Sequence, residues 1–234
     1  MTLIQDYIVA LTNLYGLVHK RKVVDIYNEK NETPIDEETI NTIMEESAEQ
    51  LENRFVYIEA EYFVHEAIIM FDDINEEIIK RHGKPHYIPS EEELLKYTDE
   101  TYFEKTKQYH ILLLYITEYL CDGNKLKAEN MCEHIVGMIE AESSLQMIFS
   151  EMDDFGITFG DKEQANKAIE LITDLHNNTR LWSNNGHTPL EISDYQPHYL
   201  AQTHPFKMNN VNKQKTKPKL SVITNERKEK KRQK

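Results

Sequence analysis

Hydrophobic residues recur at helical spacing along most of the chain. Apolar side chains three and four positions apart predict a helix over residues 3–15, which Gly16 is suited to end. The same spacing predicts helices over about 20–29 and 36–53, on either side of Pro34, because proline disfavours helix at the residue before it. Further helices are predicted over about 66–81, from Ser90 towards Tyr119 with a break near Asp99, and over about 125–142, 144–154 and 161–176, with a short last helix from Pro189.

One segment has a different pattern. Residues 54–65 are rich in aromatic and β-branched side chains, which favour strand, and they predict a hairpin that turns near Glu59–Glu61. Three helices followed by a small hairpin is the element order of a winged-helix domain. We therefore expect a mainly α protein in which residues 1–83 form either a winged-helix-like subdomain or a purely helical one.

The rest of the chain divides by composition. The proline-containing stretch 84–89 predicts a joint, followed by a second subdomain of helical hairpins over residues 90–192. Beyond about Pro205 the apolar periodicity stops, and Lys, Asn, Gln and Thr dominate. Such a segment cannot bury enough apolar surface to offset the entropy lost on ordering. We expect residues 207–234 to form a disordered basic tail.

Charge is distributed unevenly between the two ends of the chain. Residues 207–234 hold eleven Lys and Arg and two acids, a net charge of +9, out of a formal total of −14. The preceding 206 residues therefore hold 16 basic and 39 acidic residues, a net charge of −23. The predicted third helix alone, Asp36–Glu52, holds seven acids and no Lys or Arg. In a winged-helix domain this helix would face the major groove, and here phosphate would repel it.

No residue pattern indicates an enzyme. The chain has no nucleophile elbow, phosphate-binding loop or dinucleotide fingerprint. Cys132 and His134 lie two positions apart on one predicted helix and so point to different faces. Together with Cys121, Cys132 is expected to pack in the core as a small apolar group. We expect a non-enzymatic protein with no catalytic residues, no cofactor and no metal site.

The setting follows from cysteine usage and hydropathy. Two cysteines are too few for a disulfide framework, which favours a reducing compartment. The longest apolar run is Ile111–Ile116, whereas a membrane span needs roughly 20 apolar residues. No basic segment precedes an apolar stretch at the N-terminus, so no secretory signal is indicated. We expect a soluble cytoplasmic protein that makes no membrane contact.

The stretch 176–191 combines the only tryptophan with dense hydrogen-bonding side chains. One hypothesis is a partner-binding loop formed by Asn177, Asn178, Arg180, Trp182 and His187. The alternative is that these residues fix a non-helical connection, in which asparagine caps the helix, glycine turns the chain and tryptophan plugs the loop onto the core. Polar loop residues satisfy local backbone more often than they bind ligands, which favours the alternative.

The basic tail is a second candidate site. Its side chains could contact RNA or DNA phosphates in a sequence-independent, salt-sensitive way. Residues 207–234 contain no aromatic side chain on which single-stranded bases could stack, and the tail could equally be a solubilising terminus. The candidate phosphate contacts are Arg227, Lys228, Lys230, Lys231 and Arg232.

Two stretches, Asn177–Glu191 and Lys84–Pro89, resemble a family of uncharacterised helical proteins from low-GC Gram-positive bacteria and their phages. The resemblance covers about residues 4–192. Members of that family often end in a short cysteine-rich zinc motif similar to the C-terminal tail of the preprotein translocase motor. No cysteine follows Cys132 here, so zinc binding is not implied for this chain. The resemblance implies a bacterial cytosolic setting.

These observations favour a non-enzymatic adaptor or regulator that acts through protein–protein contacts. One alternative is a nucleic-acid- or ribosome-associated protein that binds through the basic tail. Another is an acidic mimic of nucleic acid that inhibits a DNA-binding enzyme. The sequence indicates no particular oligomeric state.

Overall fold

The computed structural model describes residues 2–71 and 73–193, with Phe71 described by its backbone alone. The first helix, α1 (Leu3–Tyr15), begins where Thr2 and Gln5 form a capping box, each side chain accepting a hydrogen bond from the other residue's backbone N–H. It ends at Gly16, whose φ of 73° and ψ of −39° suit glycine and not residues with a side chain. Both ends agree with the sequence prediction.

The elements that follow α1 are three helices and a small three-stranded sheet, in the order that a winged-helix-like subdomain would have, and that assignment stays a prediction. The central strand of a three-stranded sheet pairs antiparallel with both neighbours, in the strand order β1-β3-β2. The hairpin predicted over 54–65 is confirmed, and its turn lies at Ala60–Glu61. The elements in chain order are β1 (Leu17–His19), α2 (Lys20–Lys30), α3 (Glu37–Glu46), α4 (Ala48–Glu52), β2 (Val56–Glu59) and β3 (Tyr62–His65).

The second half of the described chain is helical. It consists of α-helices, a π-helix and a 3-10 turn, and this confirms the predicted mainly α class. They are α5 (Glu66–Phe71), α6 (Ile74–Arg81), α7 (Glu91–Lys96), α8 (Lys107–Tyr115), the π-helix Ile116–Leu120, α9 (Lys125–Glu140), α10 (Leu145–Asp154), α11 (Lys162–Asn177), the 3-10 turn Trp182–Asn184 and α12 (Pro189–Ser193).

Two predicted helices are interrupted. The helix predicted over 66–81 is wrong as a continuous element, because the carboxylate of Asp73 accepts hydrogen bonds from the N–H groups of Asn75 and Glu76 and starts a new helix there. The predicted third helix also divides at Ser47, whose side-chain oxygen accepts a hydrogen bond from Gln5 instead of capping α4. The predicted break near Asp99 is confirmed, since α7 ends at Lys96.

Buried apolar side chains form two main clusters. One joins α1, α2, α3 and the sheet, and it also takes in Leu94 and Tyr97 from α7 and its C-cap. The other joins α8 to α11. A smaller cluster beside the sheet packs against Trp182. All described residues belong to one compact unit, and the division into subdomains at 83–90 stays a prediction. Within residues 2–71 and 73–193, no helix has the length and apolar character needed to cross a membrane.

Candidate functional site

The segment α3 with α4, which would be the recognition element of a winged-helix domain and is called the recognition element below, lies at the surface. In helix-turn-helix proteins the corresponding helix enters the major groove and reads base edges. Here Glu38, Glu45, Glu46 and Glu49 are exposed, and none forms an ion pair with a described residue. The carboxylate of Asp36 caps α3, and hydrogen bonds from the Thr39 N–H and hydroxyl lower its pKa. This element therefore presents several carboxylates to solvent.

The wing, which is the turn between β2 and β3, is also acidic. Glu59, Ala60 and Glu61 are all exposed. Lys20, at the start of α2, lies between the wing and α3. Its Nζ is 2.9 Å from Glu61 Oε1 and 3.0 Å from Asn41 Oδ1. The ammonium group of Lys20 therefore contacts both the wing tip and the recognition element.

Two cations from α2 neutralise part of this surface. Lys20 pairs with Glu61, and its hydrogen bond lowers the pKa of that carboxyl. Arg21 Nε lies 3.0 Å from Glu37 Oε1. The eight glutamates of α3, α4 and the wing, together with these two cations, give a net charge of −6, and we call the eight carboxylates the acidic face. They are Glu37, Glu38, Glu45, Glu46, Glu49, Glu52, Glu59 and Glu61.

Sequence reasoning found the acidic helix but missed the contribution of the wing. The signal was present, since the predicted turn falls between two glutamates. The bridge from Lys20 could not be read from the sequence, because it depends on how α2 is placed against the sheet.

The 176–191 stretch plugs onto the core through Trp182. Its Nε1 donates a hydrogen bond of 2.9 Å to the Asn13 carbonyl, and its ring centroid lies 4.8 Å from that of His65. The ring covers Gly16 so closely that a Cβ added there would lie 2.6 Å from it. The interpretation of Trp182 as a plug is confirmed.

Backbone groups of the same stretch are held by the last residue of α6 and by the segment that follows it. Arg81 Nε donates to the Trp182 carbonyl at 2.9 Å, and Lys84 Nζ donates to the Ser183 carbonyl at 2.7 Å. In return, the Asn185 side-chain amide donates to the Lys84 carbonyl at 3.0 Å. The predicted joint at 84–89 is therefore hydrogen-bonded to the Trp182 loop.

Arg180 fixes the other side of the loop. Its guanidinium stacks 3.4 Å from the centre of the Tyr87 ring and pairs with Glu104 at 2.6 Å and Glu191 at 3.1 Å. It also donates to the Gly186 carbonyl at 3.0 Å. Only 12% of the side chain is exposed. With this set of partners, Arg180 has a structural role in joining the loop to its neighbours.

The remaining predicted loop residues have local roles. The Asn178 amide donates to the Asp174 carbonyl at 2.9 Å, as a helix cap. His187 Nδ1 lies 3.4 Å from a Glu191 carboxylate oxygen, and its Nε2 is buried without a hydrogen-bond partner among the described residues. Asn177 is half-buried. Partner binding by this loop stays a prediction.

The cysteines lie in the second core cluster. Cys121 and Cys132 are free thiols, 7% and 0% exposed, and burial raises the pKa of both, that of Cys132 to about 12. The predicted packing of these thiols is confirmed. His134 pairs with Glu151 at 3.3 Å. In the part of the chain that the structure describes, no group of three or more His, Cys, Asp or Glu side chains is arranged to hold a metal ion.

The predicted phosphate contacts of the tail lie outside the described residues. They are Arg227, Lys228, Lys230, Lys231 and Arg232.

The described chain is thus mainly α-helical with a small antiparallel sheet, an acidic surface on α3 and α4, and a loop that Trp182 fixes against α1. Comparison with known proteins adds no family to this description: no protein-family model, no curated protein and no solved structure matches the chain.

Proposed function

We propose that this chain is a non-enzymatic adaptor or regulator of the bacterial cytoplasm, whose winged helix binds a protein partner with a basic surface. The observation that carries the proposal is the acidic face. The recognition element and the wing, which in DNA-binding winged-helix proteins approach the phosphates, here carry eight carboxylates, and with Lys20 and Arg21 the net charge is −6. Such a surface repels nucleic acid and attracts cationic protein surfaces.

The contacts of Lys20 with the wing and with α3 also favour this surface as the binding site. The two parts of the face, α3 with α4 and the wing, are held in register by the Lys20 bridge. A rigid surface loses little entropy on binding, which favours specific association. The core residues behind it, Ile40 and Leu51, are fully buried, so exposed charges can change without loss of the fold.

The test is an affinity capture with the full-length chain and two matched charge reversals. Glu45→Lys/Glu46→Lys changes adjacent exposed acids in the last turn of α3, and Asp153→Lys/Asp154→Lys does the same in α10. Both changes place cations at helix C-termini, where the helix dipole favours them, so neither should unfold the protein. A stoichiometric partner captured from a bacterial cytosolic lysate should bind the α3 variant at least about tenfold more weakly, a change of ~1.4 kcal/mol.

The α10 variant should bind the same partner as wild type does. Recovery of no stoichiometric partner, or equal weakening by both variants, would contradict the proposal. A third variant with glutamine at Arg227, Lys228, Lys230, Lys231 and Arg232 tests the tail. Loss of the captured species with this variant alone would instead favour nucleic-acid or ribosome association through the tail. A captured DNA-binding enzyme whose DNA competes with the chain would favour the acidic-mimic alternative.

A further inference from the structure

An open cleft lies on the helical part of the molecule, on elements other than those of the acidic face. One wall is the segment 99–105 between α7 and α8, and the other is the C-terminal half of α9. The cleft encloses about 690 Å³, which is within the range of small-ligand sites. It therefore has room for a side chain with its flanking backbone.

Glu140, the last residue of α9, is half-buried and lines this cleft. Its carboxylate makes no hydrogen bond or ion pair with a described residue. Burial raises the pKa of this carboxyl to about 8, with no other cause. Behind it lies a cavity of about 10 Å³, also bordered by Glu104 and Arg180, which are already paired with each other. A half-buried carboxyl with a raised pKa and no partner among the described residues is a group that an incoming cation would stabilise.

The other lining residues favour a cation as well. Asp99, Glu100 and Glu133 add negative charge, and the aromatic rings of Tyr102 and Phe103 form part of the same wall. Electron-rich ring faces attract ammonium and guanidinium groups.

The chain itself shows that this wall accepts an ammonium. Lys105 Nζ lies 5.6 Å from the Phe103 ring centre, 5.5 Å from that of Tyr109 and 3.3 Å from Glu133 Oε1. Lys105 is the one basic residue that lines the cleft among the described residues, so the acids outnumber it.

Gly137, in α9, lines the cleft with backbone atoms only. It lies inside a helix, where glycine costs about 1 kcal/mol relative to alanine. A Cβ at this position would meet no atom within 4 Å, so packing against the described residues does not require glycine. Gly137 therefore lines the cleft without adding a side chain to it.

We propose that this cleft binds a lysine or arginine side chain of a protein partner, with the cationic head paired to Glu140 and its stem against Tyr102 and Phe103. No described cluster of His, Cys, Asp and Glu could hold a metal ion, which favours an organic cation. Binding is coupled to ionisation: the Glu140 carboxyl gives up its proton to the buffer as the ion pair forms. The proposal does not depend on the acidic face.

Isothermal titration calorimetry of the full-length chain tests it. The probes are acetylated, amidated tripeptides Ala-Lys-Ala and Ala-Arg-Ala, the same peptide with acetyl-lysine, and free spermidine. The charged peptides should bind with millimolar affinity, and the acetyl-lysine peptide should bind at least tenfold more weakly. At pH 7 binding should release ~0.9 proton, seen as a dependence on the buffer's ionisation enthalpy, because a carboxyl of pKa about 8 is mostly protonated there.

Affinity should rise about tenfold between pH 6 and pH 7 and level off above pH 8. Glu140→Gln keeps the shape of the neutral carboxyl and so should fold. It should weaken binding at pH 8 at least tenfold and abolish proton release. Glu118→Gln, an exposed acid outside the cleft, should change neither.

Three results would overturn the assignment. The first is that neither charged peptide binds at pH 8. This result also counts against the assignment if spermidine alone binds, because the ligand would then be a free polyamine. The second is equal behaviour of the Glu140 and Glu118 variants. The third is acetyl-lysine binding as well as lysine does.

Discussion

Substitution of Gly16 by alanine tests how the Trp182 plug is held. Gly16 has a positive φ, and its backbone is fixed on both sides: its N–H donates to the Thr12 carbonyl and its carbonyl accepts from the His65 N–H. The new methyl group would lie 2.6 Å from the indole ring. Since the backbone cannot move away, the tryptophan must.

The cost has three parts. Alanine at this backbone conformation costs about 1–2 kcal/mol. Overpacking against the ring costs about 1–3 kcal/mol. Displacement of the indole loses its hydrogen bond to Asn13, worth about 1 kcal/mol. We expect a total loss of about 3–6 kcal/mol in the free energy of unfolding.

Gly123→Ala is the matched control. Gly123 also has a positive φ, of 81°, but a Cβ there would meet no atom within 4 Å. It should cost only the backbone part, about 1–2 kcal/mol. Urea unfolding followed by circular dichroism measures both variants. Trp182 is the only tryptophan, so its emission reports the plug directly and should shift to the red in the Gly16 variant alone. Equal destabilisation by the two variants, with unchanged emission, would refute the reasoning.

Three further changes have defined outcomes. Burial lowers the pKa of His86 to about 4, and that of His65 also falls, so between pH 6.5 and 4 the unfolded chain binds protons that the folded chain does not. The free energy of unfolding, measured with urea, should therefore decrease as the pH is lowered from 6.5 to 4, by up to about 3 kcal/mol for His86. His86→Gln should remove that part of the decrease. Arg180→Lys removes the guanidinium group that stacks on Tyr87 and pairs with two glutamates, so it should lower the free energy of unfolding by about 2 kcal/mol. A change below about 0.5 kcal/mol in urea unfolding would contradict the structural role of Arg180. Cys121 and Cys132 should react with a thiol reagent at pH 8 at least about a hundredfold more slowly than in urea, because both are buried and largely protonated; fast reaction of either in the native protein would contradict the core packing.

Local patterns predicted the elements whose causes are local. The hairpin over 54–65 was predictable because its residues favour strand and pair with each other across a two-residue turn. Strand β1 was not, because three residues between two helices carry no pattern, and Leu17–His19 become a strand only by pairing with β3. The helix boundary at Asp73 was missed although aspartate is a common cap, because apolar spacing continues across it.

The candidate sites divide in the same way. The acidity of α3 is a property of consecutive residues and could be read directly. Glu140 could not be singled out among 41 acids, because what distinguishes it is its place beside the cleft and the absence of a partner among the described residues. Trp182 was identified as a plug from its isolation in a polar loop, but its contact with Gly16 joins residues far apart in the chain.

Hydrogen–deuterium exchange of the full-length chain, alone and bound to its captured partner, tests the central claim most directly. If the acidic face is the binding surface, amides of residues 37–52 and of the wing hairpin 56–65 should gain protection on binding. Protection confined to other regions, with 37–65 unchanged, would contradict the account.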